Sequence, residues 1–255
     1  LMPLVASNLR AVCRDGFDGV LLSDLPGAEE EIRVLHPLFD QRQWAVSTVS
    51  PAEAMESCMR DLAAAPEVIH LATHGFYFND LTLKRNGLLS GGLEGQPVNE
   101  VVLDPMKRAG LAFAGANTTI ELWQKGEIPP AADDGLLTAD EVARLSLNGT
   151  RLVTLSACET GNGEALSGEG VSGLKIAFRF AGAENLLLTL WPIDDEATVE
   201  VMKAFYIRVL DGEHLSRALG AVQATLLPEL SKQQGLRSAV NLVAPFVLTM
   251  GTRFE

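Results

Sequence analysis

The sequence predicts an α/β fold, a mostly parallel six-stranded sheet flanked by helices. Two observations carry this. Short apolar, β-branched runs recur at 16–22, 44–50, 67–73, 151–157, 184–191 and 244–250, each bounded by turn residues or charges. Between the first five lie stretches with helical spacing, at 28–39, 51–65, 137–145 and 171–181. Strands that alternate with helices feed a parallel sheet covered on both faces.

The first helix opens on Pro26-Gly27-Ala28-Glu29-Glu30-Glu31, where three carboxylates in the first turn complement the positive end of the helix dipole. Two further helices, at 195–210 and 213–227, follow the fifth strand before the run 244–250 returns at a sheet edge, in a direction that the sequence leaves open. The stretch 76–134 is different in texture, carrying Gly91-Gly92, an apolar segment at 110–116 and Pro129-Pro130. A long, mixed insertion of this kind between the third and fourth strands is more often functional than inert. Residues 1–255 read as a single domain, and the opening at Leu1 reads as sequence taken from within a longer protein.

With 47% hydrophobic and 21% charged residues the composition is that of a globular protein, and no run approaches the roughly 18 apolar residues a membrane helix needs. No membrane partner is expected. The balance of 20 basic against 33 acidic residues gives −13, which disfavours nucleic acid and favours basic substrates. Cys13, Cys58 and Cys158 are too few and too scattered for a disulfide framework or a zinc cluster, so a reducing, cytoplasmic location is expected. The first ten residues lack the features of a signal peptide.

Two candidate reactive side chains stand just past strand ends. The third strand leads into Thr73-His74-Gly75 and the fourth into Cys158-Glu159-Thr160-Gly161. Carboxyl ends of parallel strands are where open α/β sheets place their crevices. A thiol needs a partner to take its proton and later protonate a leaving amine, and imidazole suits both tasks. Amide hydrolysis also needs donors for the oxyanion, which the backbone N–H groups of Gly75 and Cys158 can supply. Taken singly, a strand-end cysteine is more often inert packing. Cys13 and Cys58, in helical surroundings, are read as structural, and His36, His70 and His214 are assigned no chemistry.

The residues at 70–76 (HLATHGF), 110–117 (GLAFAGAN), 135–163, 168–198 and 244–251 (APFVLTMG), with LPGAEEEI at 25–32, resemble the CHAT domain family in family order over nearly the whole chain. This is a caspase-like and separase-like cysteine peptidase family often joined to tetratricopeptide repeats. The resemblance implies a caspase-like three-layer sandwich and matches the family histidine to His74 and the family cysteine to Cys158. It implies a cysteine endopeptidase acting on proteins or peptides without a cofactor. It further implies regulation by a region outside the chain, such as tetratricopeptide repeats. In separase-like members an acidic residue after the tryptophan of the fifth strand lines the pocket for a basic P1 side chain. Trp191-Pro192-Ile193-Asp194-Asp195 is similar, so Asp195 and Asp194 are candidates, although Asp194 could equally cap the following helix.

Other chemistries fit less well. Gly168-Glu169-Gly170-Val171-Ser172-Gly173 matches a dinucleotide-loop pattern, but nine residues separate it from Cys158 at the strand end when it should follow directly, and Glu164 and Glu169 would repel a pyrophosphate. These glycines are read as a flexible loop beside the nucleophile. Ser156 lacks the glycines of a nucleophile elbow, and no closely spaced ligands suggest a metal. The alternative from another class is a catalytically silent caspase-like scaffold.

Overall fold

The structure, a computed structural model, describes residues 21–77, 106, 108–129, 133–156, 168–191, 193 and 195–251. Along the chain the elements are α1 (Pro26–Asp40), α2 (Ser57–Arg60), β1 (Val68–Leu71), β2 (Gly75–Tyr77), β3 (Ala109–Ala112), α3 (Ala116–Gln124), β4 (Leu136–Thr138), α4 (Ala139–Val142) and β5 (Leu152–Leu155). They continue with α5 (Gly168–Ala181), β6 (Asn185–Thr189), α6 (Asp195–Leu210), α7 (Leu215–Gln234), α8 (Leu236–Val243) and β7 (Phe246–Met250).

The apolar runs at 67–73, 151–157, 184–191 and 244–250 form one sheet in the order β1-β5-β6-β7. β1, β5 and β6 are parallel and β7 pairs antiparallel with β6. Alternation along each strand separates two cores. Ile69, Val153, Leu155, Leu186 and Leu188 pack on one side with Leu174, Ala177 and Phe178 of α5. Leu152 and Leu187 pack on the other with Leu35 of α1, Met202, Phe205 and Tyr206 of α6, and Leu219 of α7. Both faces are thus buried, which explains why these strands read as nearly unbroken apolar runs.

The α/β class stands, but the six-stranded, mostly parallel sheet does not. β2, β3 and β4 form a second, antiparallel sheet in that order. Of the predicted first strand, residues 16–20 lie outside the described residues, and Leu21 and Leu22 are irregular. Residues 44–47 alternate half-buried and exposed side chains and residues 48–50 are exposed, and no ladder involves 44–50 among the described residues. Trp44 instead packs edge-on against Phe39, with ring centroids 5.7 Å apart.

Helix predictions fail where a short polar signal outweighs periodicity. The expected helix at 51–65 is reduced to α2, because a turn at 51–53, closed by the Ser50 hydroxyl donating to Glu53 at 2.7 Å, precedes it. Cys58, expected to be packed inside that helix, is exposed. The expected helix at 137–145 divides into β4 and α4 at Thr138, which caps α4 reciprocally with Glu141: the Thr138 N–H donates to Glu141 at 2.8 Å and the Glu141 N–H to the Thr138 hydroxyl at 3.3 Å. α1 begins at Pro26, so only Glu29 of the three carboxylates lies in its first turn, while Glu31 is turned inward and buried. Gly168 to Gly173, read as a loop, open α5.

Gly135 leads into β4. It adopts a left-handed φ of +84°, and a Cβ there would sit 2.2 Å from the backbone nitrogen of Ala116, so glycine is required on both counts. Its N–H donates to buried Glu56 at 2.7 Å. Burial, with Asp134 and Glu141 nearby, raises the Glu56 carboxyl to about 7 despite that bond.

Candidate active site at the carboxyl ends of β1 and β5

β1 and β5 run side by side with Leu71 opposite Leu155, and the Ser156 N–H extends the ladder to the Leu71 carbonyl at 2.9 Å. His74 follows Leu71 by three residues, in the link from β1 to β2. Its side chain is enclosed, with 8% of the residue exposed. Nε2 lies 2.7 Å from the carbonyl oxygen of Ser23. A carbonyl can only accept, so a hydrogen bond here has Nε2 as its donor.

Both ends of that contact are held. The Leu22 N–H donates to Asn117 Oδ1 and Asn117 Nδ2 to the Leu22 carbonyl, each at 2.9 Å, which ties the segment carrying Ser23 to α3. The His74 carbonyl accepts from Ala112 N–H at 2.8 Å, and the Thr73 hydroxyl donates to the Ala112 carbonyl. β3 therefore fixes the histidine backbone while the 21–25 segment fixes its ring.

The other sequence candidates fall differently. Gly75 opens β2 and pairs with Leu111. Cys158 and Asp194 lie outside the described residues, and Asp195 is the first residue of α6. His74 and Gly75 are the candidates whose surroundings are thus defined.

A cavity of about 20 Å³ opens where Ala72 and Ser156 leave β1 and β5. The start of α1 walls it with Leu25, Gly27, Ala28 and Glu31, and α6 contributes Thr198. Glu31 is 2% exposed. Its Oε1 stands 3.2 Å from Nε2 of His70, and neither atom has a hydrogen-bond partner among the described residues. On its other side, His70 Nδ1 is 3.1 Å from the Tyr206 hydroxyl, which is 2.7 Å from the Thr154 hydroxyl. Burial pushes the Tyr206 phenol well above its usual range, so it stays a neutral hydroxyl.

Sequence reasoning passed over this His70–Tyr206–Thr154 chain and the Glu31 carboxyl beside it. A signal existed, since His70 and Thr154 are polar residues in otherwise apolar strands and are register partners. Among the described residues no group of three or more His, Cys, Asp or Glu is arranged for a metal ion, and no helix is long and apolar enough to cross a membrane.

Parallel strands whose carboxyl ends carry an enclosed, backbone-anchored histidine define an α/β protein with a strand-end crevice. The chain belongs to the CHAT domain family, a caspase-like family whose match covers residues 4–247. It is 28% identical over 213 residues to tetratricopeptide repeat protein 28 of Homo sapiens, covering 80% of this chain and 8% of that protein. Tetratricopeptide repeat protein 28 of Mus musculus is 28% identical over 206 residues, with coverage of 80% and 8%. The chain thus spans 8% of the length of the curated relatives it matches.

Proposed function

We propose that the chain is a cysteine endopeptidase in which Cys158 is the nucleophile and His74 its proton-transfer partner. The observation that carries the reading is the register of β1 and β5. Leu71 and Leu155 are opposite one another, and His74 and Cys158 each follow their strand partner by three residues. That register supports a reading in which the imidazole and the thiol meet at the same end of the sheet. Nε2 faces the Ser23 carbonyl, and in this reading Nδ1 takes the thiol proton.

The thiolate adds to the scissile carbonyl, and backbone N–H groups of Gly75 and Cys158 receive the oxyanion. The C–N bond breaks as His74 returns the proton to the leaving amine, and water then hydrolyses the thioester. A basic P1 residue is favoured by the charge of −13 and by the acidic pair Asp194 and Asp195 that follows Trp191 in the sequence. The name of the relatives supports tetratricopeptide repeats as a regulatory region. A reducing cytoplasm suits a free catalytic thiol.

The test is covalent labelling with a peptide electrophile. Wild-type chain acquires one adduct at Cys158, seen by mass spectrometry, and Cys158→Ala acquires none. A chain that is folded and unlabelled at Cys158 would instead be a silent scaffold.

A further inference from the structure

We infer that Glu56 is a positioning residue for His74, holding both its backbone and its ring through a relay of contacts that passes through Gly135. The inference rests on the peptidase reading for its consequence in catalysis, while the relay itself consists of described residues alone.

The backbone branch is continuous. Glu56 accepts from the Gly135 N–H at 2.7 Å. The Gly135 carbonyl accepts from the Phe113 N–H at 2.7 Å, and the preceding residue, Ala112, donates its N–H to the His74 carbonyl at 2.8 Å. The Ala112 carbonyl in turn accepts from the Thr73 hydroxyl. Each step crosses one hydrogen bond or one stiff, planar peptide unit. A shift at Gly135 is therefore passed on to the residue that carries the imidazole.

The ring branch starts from the same glycine. A Cβ on Gly135 would stand 2.2 Å from the Ala116 nitrogen, so the Gly135 backbone is packed directly against the start of α3. Asn117, next along α3, holds both backbone groups of Leu22 at 2.9 Å, and the carbonyl of the following residue, Ser23, faces His74 Nε2 at 2.7 Å. The turn between the branches is tied back to the chain that carries Glu56, because the Ala114 N–H donates to the Ala54 carbonyl at 2.8 Å.

Glu56 is the ionisable member of this relay. It is 3% exposed, and the charged groups that face it are Asp134 ahead of β4, which shares a hydrogen bond with it, Glu141 of α4, and Arg60 of α2 at 3.9 Å. Arg60 is turned instead to Asp133, at 2.9 Å. Burial, with Asp134 and Glu141 nearby, holds the Glu56 carboxyl at about 7 against the lowering effect of the Gly135 bond. Ionisation strengthens the pull on the Gly135 N–H and sets like charge beside Asp134, whose Oδ1 accepts from the Leu136 N–H at 2.9 Å. Both effects act on residues 134–136, where the two branches begin.

The test follows carbon-13 and nitrogen-15 signals of the 255-residue chain through about two pH units on either side of 7. The Glu56 carboxyl carbon, the amide nitrogens of Gly135, Phe113 and Ala112, and the His74 carbonyl carbon are expected to shift with one shared midpoint, over and above the ring's own titration at His74. In Glu56→Gln, which keeps the acceptor and loses the proton, the shared component is expected to vanish while that of the ring remains. Glu56→Ala is expected to lower kcat for peptide cleavage by up to roughly 10²-fold, the worth of a misplacement of about 1 Å, with KM little changed, and Glu56→Gln to recover most of that loss. The wild-type midpoints decide the matter even if Glu56→Ala does not fold. A Gly135 amide that follows Glu56 while Ala112 and His74 do not overturns the proposal. A wild type that shows the shared midpoint yet cleaves no peptide upholds the positioning of His74 and overturns the peptidase reading instead.

Discussion

His74 presents Nε2 to the carbonyl oxygen of Ser23 at 2.7 Å, so its tautomer is set by a backbone atom that no side-chain substitution can remove. The neutral ring is expected to be protonated at Nε2, which nitrogen-15 shifts of labelled histidine report directly. A ring protonated at Nδ1 would contradict the proposed direction of proton transfer. His74→Ala is expected to lower peptide cleavage by roughly 10²–10⁴-fold, the usual worth of a general acid–base group.

Asn117 acts on that contact from a distance, because its amide holds both backbone groups of Leu22, next to Ser23. Asn117→Ala is expected to lower kcat more than it raises KM, and to broaden the His74 ring signal. A merely structural role for Asn117 would lower stability and leave the ring signal as it was.

Glu56 gives the fold a pH dependence whose sign follows from its raised pKa. Its carboxyl titrates near 7 in the folded chain against an ordinary 4.5, so the folded state binds that proton more tightly. The stabilisation is complete below about pH 4.5 and is lost as pH rises through about 7. Arg60, at 3.9 Å and with its side chain 45% exposed, is too distant and too solvated to offset this. Glu56→Gln keeps an acceptor for the Gly135 N–H. Urea midpoints are therefore expected to show a gain on the order of 1–3 kcal/mol at pH 8 and little change at pH 4.5. Equal effects at both pH values would contradict the assignment.

Tyr206 joins His70 to Thr154, and Tyr206→Phe leaves both without that hydroxyl. The expected loss is about 1–3 kcal/mol, the cost of buried polar groups left unmet. Adding Thr154→Val is expected to recover part of it, since removing both partners is cheaper than removing one. No recovery in the double variant would show that the two hydroxyls are not coupled.

What the sequence made legible was the central sheet, because β1, β5 and β6 are buried on both faces and read as apolar runs whatever their neighbours do. His74 was legible for the same reason, standing where such a run stops. The small antiparallel sheet was not. β2, β3 and β4 are three or four residues long, and Gly75, Ala109, Gly110 and Ala112 carry little β propensity of their own. β3 forms because Gly110 admits a neighbour: a Cβ there would meet the Phe76 ring at 2.3 Å. The 44–50 run misled in the opposite way, since alternation specifies a face but not a ladder partner. Glu31 read as a dipole-complementing surface charge because the register of α1 depends on Pro26 starting the helix, and that register turns Glu31 towards His70.

Cleavage of a mixed peptide library by the wild-type chain and by Cys158→Ala, with fold verified by circular dichroism, tests the central claim most directly. The account predicts cuts after basic residues by the wild type and none by the variant, since the change removes the proposed nucleophile. Cleavage by Cys158→Ala at a rate close to wild type would contradict it.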